Sequence, residues 1–170
     1  TKAGPTEVIR NTIGGSSAIL TGPSFASDIA MGLPTGLTIA TENKQIGTEL
    51  QKTLSTDSIR LYLSSDPIGA ELGGALKNVL AIAVGVADGL GFGANTRAAL
   101  MTRGLSEMMR LGQALGSRQE TLMGLAGLGD LILTCTDDQS RNRRFGLAIG
   151  RGKSIAQAEM DVQQTVEGLR

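Results

Sequence analysis

The sequence predicts a mainly α-helical protein with a small β part, in which a helical domain follows the end of an α/β domain. Short runs of β-branched and apolar residues fill the first third of the chain, whereas longer stretches with helical spacing of apolar residues fill the rest. Pro67 marks the boundary, because the residue before a proline disfavours helix and proline itself suits a first helical turn. We therefore expect a sheet portion at 1–66 and a helical domain at 67–170.

The first portion contains three strand candidates and one helix candidate. The strand candidates read SSAILTG, PTGLTIAT and IRLYLSS, and an amphipathic helical pattern at 43–55 separates the last two. A strand, a helix and another strand in succession are typical of an α/β sheet.

The second portion begins with a long apolar helix at 68–88. After GLGFGAN, Asn95 or Thr96 is expected to cap a second helix, which runs to Leu115 and carries an apolar stripe that we assign to the core. The glycine-dense segment GLAGLGD is expected to be a loop. RNRRFGLAIG and SIAQAEM are expected to form two further short helices.

The composition excludes several classes of site. The chain has 16 basic and 16 acidic residues, no histidine and one cysteine, Cys135. Without histidine, this chain cannot build a Ser-His-Asp triad, a Cys-His pair or a His-based zinc site, and we expect no metal. Proton transfer must then use Lys, Asp, Glu or Tyr. A net charge of zero gives no general attraction to nucleic acid or to an anionic membrane.

Cysteine usage and hydropathy give an expected location. A single cysteine fits a reducing cytoplasm, where we expect the protein to act. The most apolar run, NVLAIAVGVA, is about half as long as the ~20 residues that a bilayer requires, so no membrane insertion is expected. No signal-peptide pattern opens the chain. Because it begins at Thr1 without methionine, we expect a piece of a longer protein.

Lys77 lies inside the run GGALKNVLAIAVGVADGLGFG, with no charged residue at three- or four-residue spacing. Its side chain can extend to solvent along the helix surface. Alternatively it points into a pocket, where a desolvated lysine amine can accept a proton. In that case Asn78 would orient a substrate hydroxyl or carbonyl, while Asp88 lies three turns away, too far to pair with Lys77.

The segment TCTDDQSRNRRF places three arginines in the first turn of a helix that Ser140 or Asp138 would cap. The positive end of a helix dipole disfavours cations at this position. A bound anion, with phosphate as the natural candidate, would relieve the conflict. Solvated arginines, or arginines paired with Asp137 and Asp138, explain the pattern equally well. RNA binding is less favoured, because aromatic residues make up only 2% of the chain.

Two glycine-containing segments supply further candidates. Asp130 follows GLAGLG and is either a turn residue or a ligand-contacting group. TGPSFA follows a strand-like run, so Gly22, Ser24 and Ala26 would lie at the carboxyl end of a strand, where open α/β sheets bind ligands. Ordinary turn chemistry explains this segment equally well. No G-x-G-x-x-G stands between a strand and a helix.

Together these segments resemble the bacterial-type NAD(P)-dependent glycerol-3-phosphate dehydrogenases. The resemblance rests on TGPSFASDIAMGLPTGLTIA, GAELGGALKNVLAIAVGVADGLGFGANTRAALMTRGLSEM, GLAGLGDLILTCTDDQSRNRRFG and VEGL, which occur in the family's order and spacing. The family has an N-terminal Rossmann domain and a helical C-terminal substrate domain. The resemblance implies that 1–66 is the end of a Rossmann-type α/β domain and that 67–170 is most of the substrate domain.

The family interconverts sn-glycerol 3-phosphate and dihydroxyacetone phosphate by hydride transfer with NAD or NADP, in glycerophospholipid precursor synthesis. By position, the resemblance implies that Lys77 is the general acid/base. It implies a phosphate anchor at Arg141 and Asn142. It implies substrate contacts from Lys2, Gly22, Ser24, Lys77, Asn78, Asp130, Thr134, Ser140, Arg141 and Asn142. It implies cofactor contacts from Ala26, Arg141, Thr165 and Glu167.

The chain departs from the family pattern in three respects. It lacks the Rossmann glycine fingerprint, and its stretch TKAGPTEV around Lys2 is shorter than and different from the family's ATKG stretch. Thr165 occupies a position that is often Val or Ile in the family. We therefore expect the main NAD(P) site to lie outside this chain and the isolated chain to be inactive. The alternatives are an inert substrate-binding fragment and a related two-domain hydroxy-acid dehydrogenase. The expected partner is a small-molecule phosphate, and a homodimer is left open.

Overall fold

The computed structural model describes residues 4–162 and 166–169. Within these residues the helices and strands occur in the order α1 (Pro5–Ile13), β1 (Ile19–Thr21), α2 (Ala26–Ala30), β2 (Thr35–Ala40), α3 (Lys44–Leu54), β3 (Ile59–Ser64), α4 (Pro67–Gly89), α5 (Ala94–Ala114), α6 (Gln119–Met123), a π-helical turn (Leu125–Gly129), α7 (Asp130–Thr136), α8 (Arg141–Gly150), α9 (Ile155–Val162) and a 3₁₀ turn (Glu167–Leu169). The predicted fold class, mainly α with a small β part, is confirmed.

The three predicted strands form one mixed sheet in the order β1–β2–β3. β1 runs antiparallel to β2, with Ile19 opposite Ala40, whereas β3 runs parallel to β2. The predicted helix α3 connects the two parallel strands, and the side chain of Asn43 accepts hydrogen bonds from its first turn. The buried core of the sheet consists of Leu37, Ile39 and Leu61.

α4 is the central helix of the second portion and begins at the predicted boundary, Pro67. Asp66 caps it, because Oδ1 accepts a hydrogen bond from the N–H of Gly69 at 2.8 Å. The other oxygen of Asp66 accepts from the N–H of Arg118, also at 2.8 Å. α5, α7 and α8 pack against α4. The core that α4, α5, α6 and α7 share contains Ala81, Val84, Met108, Leu122, Leu131 and Cys135.

α4 is also longer than the apolar run on which the membrane expectation rested. The helix has 23 residues, and an 18-residue stretch of it has a mean hydropathy of 1.4, which by length and composition alone suffices for a membrane span. The predicted helix at 68–88 agrees with these bounds, but the apolar run NVLAIAVGVA covers only part of the helix, which continues on both sides of Lys77 and Asn78. In the structure α5, α7 and α8 cover part of this helix.

Two local predictions were wrong. Neither Asn95 nor Thr96 caps α5, since the helix already begins at Ala94 after Gly93. GLAGLGD is not a loop but a π-helical turn that continues directly into α7 at Asp130. Close packing on α4 explains this turn, because a Cβ added to Gly73 would lie 2.1 Å from the carbonyl oxygen of Ala126.

Candidate active site

A cleft of about 640 Å³ lies between the loop after β1 and the helices α4, α7 and α8. It brings together most of the residues that the sequence singled out, although they come from distant parts of the chain. These are Ser24, Ala26, Lys77, Asn78, Asp130, Thr134, Ser140, Arg141, Asn142 and Glu167.

Among the predicted residues that the structure describes, Gly22 is not one of those that line the cleft. Gly22 shapes the turn before it: its φ is 140°, and its carbonyl oxygen accepts a hydrogen bond from the Ser24 hydroxyl at 3.0 Å. Lys2 and Thr165 lie outside the described residues.

The cleft also contains residues that sequence reasoning missed: Thr21, Phe25, Ser27, Gly74, Leu133 and Gln139. Most of them are direct neighbours of residues that were singled out. Gly74 precedes Lys77 by one helical turn, a spacing that could have identified it. Leu133 carries no chemical signal in the sequence.

Lys77 meets a partner that its own helix does not provide. Its Nζ donates a hydrogen bond to Oδ2 of Asp130, at the start of α7, over 2.5 Å. The Lys77 side chain is 20% exposed and that of Asp130 is 4% exposed. The lysine therefore points into the cleft and keeps limited contact with solvent. The π-helical turn positions Asp130 for this contact, in keeping with the frequent occurrence of π-turns at functional sites.

Burial raises the pKa of the Asp130 carboxyl above its ordinary value, and this effect outweighs the opposing charge and hydrogen bond of Lys77. Thr134, one turn later on α7, donates its hydroxyl to the Asp130 carbonyl oxygen at 2.6 Å. The same hydroxyl lies 3.3 Å from Oδ1 of Asp130. The pair thus joins an amine at the cleft surface to a carboxyl held below it.

Arg141 is paired with Glu167 instead of standing free. An Nη of Arg141 donates to Oε1 of Glu167, and the side-chain amide of Asn142 donates to Oε2 at 3.2 Å. One carboxylate thus accepts from both residues that were predicted to anchor a phosphate. These two donors converge on a single anionic group in this structure.

Asn142 also joins the other sides of the cleft. Its amide nitrogen donates to Oδ1 of Asn78 on α4 at 3.1 Å, and its Oδ1 accepts from the N–H of Gly168 at 2.9 Å. Asn78 in turn donates to the carbonyl oxygen of Gly74 at 3.2 Å. Asn142 is 4% exposed, so this buried amide fixes the first turn of α8 against α4.

The three arginines in the first turn of α8 have different surroundings. Ser140, one of the two predicted cap residues, caps the helix by accepting a hydrogen bond from the N–H of Arg143 at 3.2 Å. Arg143 is buried and pairs with Asp138 and with Asp88, whereas Arg144 is exposed. Pairing of an arginine with Asp138 was one of the alternatives open at the sequence level. Only Arg141 of the three lines the cleft.

Cys135 lies beside these residues but cannot act as a nucleophile in this environment. It is fully buried, and burial raises the pKa of its thiol to about 12. Among residues 4–162 and 166–169, no group of three or more potential ligand side chains could hold a metal ion.

Two family models match the sequence. Residues 66–170 match the NAD-dependent glycerol-3-phosphate dehydrogenase C-terminus, and residues 1–47 match the N-terminus of the same family. A curated relative from Thioalkalivibrio sulfidiphilus, named Glycerol-3-phosphate dehydrogenase [NAD(P)+], is 60% identical over 90% of this chain and 46% of its own length. One of the same name from Cereibacter sphaeroides is 60% identical over 99% of this chain and 54% of its own length.

Solved structures agree with this relationship. The crystal structure of glycerol-3-phosphate dehydrogenase from Coxiella burnetii is 51% identical and matches with a TM-score of 0.93, over 96% of this chain and 50% of that one. The glycerol-3-phosphate dehydrogenase of Saccharomyces cerevisiae is 28% identical, with a TM-score of 0.88 over 96% of this chain and 50% of that one. This chain spans about half the length of these relatives. It belongs to the NAD-dependent glycerol-3-phosphate dehydrogenase family.

Proposed function

We propose that this chain is the substrate-binding part of an oxidoreductase that interconverts sn-glycerol 3-phosphate and dihydroxyacetone phosphate with NAD or NADP. The observation that carries the proposal is that one cleft holds both an amine paired with a buried carboxyl, Lys77 with Asp130, and a guanidinium with an amide, Arg141 with Asn142. The first pair suits proton transfer and the second suits a phosphate. The names of the relatives support the same activity.

Lys77 is the proposed general acid/base. As the free amine it accepts the proton of the substrate C2 hydroxyl during oxidation, and as the ammonium it donates a proton to the C2 oxygen during reduction. Asp130 orients the Lys77 side chain through the 2.5 Å hydrogen bond. Asn78 and Thr134 line the same part of the cleft and are proposed to contact the substrate oxygens.

Arg141 and Asn142 are the proposed phosphate anchor, with Ser140 beside them at the start of α8. Their shared contact with the Glu167 carboxylate supports this assignment, because donors that converge on one anion also suit another. A substrate phosphate would replace the carboxylate on these donors. Ser24, Gly22 and Lys2 are proposed to complete the substrate site, as the family resemblance implies.

The cleft residues fit one end of a nicotinamide dinucleotide. The Arg141 guanidinium is 37% exposed and can pair with a phosphate, whereas the Glu167 carboxylate suits ribose hydroxyls. Ala26 and Thr165 are proposed as further cofactor contacts. When bound, the nicotinamide accepts or supplies the hydride. We place the main cofactor site outside this chain, because no glycine-rich turn between a strand and a helix occurs in its sequence.

The domain division stays a proposal: 1–66 as the end of the cofactor domain and 67–170 as the substrate domain. The two family matches, which end at residue 47 and begin at residue 66, support it.

We propose that α4 is a core helix and not a membrane span, since three helices pack on it and it carries the paired Lys77. Action in the cytoplasm, on precursors of glycerophospholipids, belongs to the same proposal, and a homodimer stays a prediction.

The test compares the full-length protein with the 170-residue chain, each with dihydroxyacetone phosphate and NADH or NADPH. We expect the full-length protein to oxidise the reduced cofactor and the isolated chain to be inert. A full-length protein that uses a keto acid but not dihydroxyacetone phosphate would favour a related hydroxy-acid dehydrogenase. Turnover by the isolated chain that Lys77→Ala abolishes would overturn its proposed inactivity.

A further inference from the structure

A buried ion cluster lies at the end of α4, away from the cleft. The carboxylate of Asp88 accepts hydrogen bonds from Arg97 on α5, at 3.0 and 3.2 Å, and from Arg143 on α8, at 2.9 Å. The side chains of Asp88 and Arg143 are 8% and 10% exposed. Neither residue lines the cleft. Burying charges is costly, and a well-packed apolar pair would often stabilise the fold equally well, so this ion pair calls for a role beyond stability.

The position of the pair relates it to the proposed site. Asp88 follows Lys77 by eleven residues, which on an α-helix is about three turns and returns to within roughly 20° of the same face. Arg143 follows Arg141 by two residues in the first turn of α8. The pair therefore connects the helix that carries the proposed base to the turn that carries the proposed phosphate anchor.

The packing between α4 and α8 explains why hydrogen-bonded contacts such as that of Asp88 with Arg143 are needed between these helices. A Cβ added to Gly85 would lie 2.2 Å from the carbonyl oxygen of Arg143, and one added to Gly146 would lie 2.1 Å from that of Ile82. The two backbones are thus in close contact through glycines. Because Gly85 and Gly146 have no side chain that could form a ridge, the directional part of this packing comes from the polar contacts beside them, Asp88 with Arg143 and Asn78 with Asn142.

We propose that Asp88 and Arg143 are a positioning pair, which sets the axial position of the first turn of α8 relative to Lys77. The inference rests on the proposed function. Together with the hydrogen bond between Asn142 and Asn78, the pair fixes the distance between the amine of Lys77 and the guanidinium of Arg141. That distance must match the separation between C2 and the phosphate of the substrate. A misplacement of about 1 Å can lower a rate by about 10²-fold, even when it arises away from the reacting atoms.

The test uses the full-length enzyme and two substrates, dihydroxyacetone phosphate and dihydroxyacetone, which lacks the phosphate. Arg143→Met removes the charge and keeps most of the side-chain volume. We expect it to lower kcat/KM for dihydroxyacetone phosphate by about tenfold or more. The kcat/KM for dihydroxyacetone should stay near the wild-type value, because the Lys77–Asp130 contact is intact. Arg143→Lys should recover part of the loss, since it restores the positive charge.

Asp88→Asn provides a second variant that breaks the pair from α4, and it is read in the same way if Arg143→Met does not fold. Arg110→Met is the matched control, because Arg110 is an exposed arginine paired with Glu107. Equal losses with both substrates, or losses no larger than those of the control, overturn the inference. A wild-type enzyme that does not use dihydroxyacetone phosphate would instead contradict the proposed function, so the two failures are distinguishable.

Discussion

Nζ of Lys77 lies 2.5 Å from Oδ2 of Asp130, although 53 positions separate the two residues in the sequence. The contact joins the middle of α4 to the first residue of α7. It gives the lysine a fixed direction, and it leaves the carboxyl almost entirely buried. The proposed chemistry depends on this relationship, because a proton acceptor must be held close to the reacting hydroxyl.

The first prediction concerns the pH dependence of stability. Burial raises the pKa of Asp130 above 3.8, so the folded chain keeps this proton to higher pH than the unfolded chain does. The contribution of Asp130 to the free energy of unfolding should therefore fall as the pH rises from 3.8 through its folded-state pKa. The difference in free energy of unfolding between wild type and Asp130→Asn should show this fall in urea titrations. A difference that grows with pH would mean that the Lys77 contact outweighs burial.

The second prediction concerns the phosphate anchor. In the full-length enzyme, Arg141→Ala should raise KM for dihydroxyacetone phosphate by roughly 10- to 100-fold, because a hydrogen bond to a charged group contributes about 1.5–3 kcal/mol. Steady-state kinetics measure the change. Arg144→Ala is the control, since Arg144 lies in the same helical turn but is exposed and does not line the cleft. Equal effects of the two variants would indicate a diffuse positive field and not a defined site.

The third prediction concerns the contact between α4 and α8. Gly85→Ala should destabilise the chain by about 1–3 kcal/mol, because the added Cβ meets backbone that cannot rotate away. Gly74→Ala on the same helix is the control, since the nearest atom to its Cβ would be the Thr21 Oγ1 at 3.7 Å. That change should be neutral or stabilise by up to about 1 kcal/mol through helix propensity. Urea unfolding measures both; equal stabilities would contradict the close packing.

Much of the fold could be predicted from the sequence because its signals are local. The strands, the helix capped by Asn43 and the start of α4 at Pro67 follow from residue spacing and turn chemistry. The π-helical turn could not be predicted in this way, since it depends on how closely Gly73 approaches Ala126. From the sequence alone, a glycine-dense segment predicts a loop.

The candidate site was predicted only in part, because its contacts also join residues that are far apart in the sequence. Lys77 was conspicuous as a charged residue among apolar neighbours, but its partner Asp130 comes from another helix and no periodicity connects them. The sequence pattern placed Arg141, Arg143 and Arg144 together in the first turn of a helix. It gave no indication that Arg143 is buried against Asp88, a contact 55 positions away in the sequence.

The most direct test of the account is kcat of the Lys77→Ala variant of the full-length enzyme. The control is Lys153→Ala, because Lys153 also pairs with an aspartate, Asp161, at 2.5 Å, but both side chains of that pair are about half exposed. The account predicts that Lys77→Ala lowers kcat by about 10²–10⁴-fold, the range typical of a lost general acid/base, while Lys153→Ala leaves it unchanged. A Lys77→Ala enzyme that retains near-normal kcat would contradict the role of Lys77.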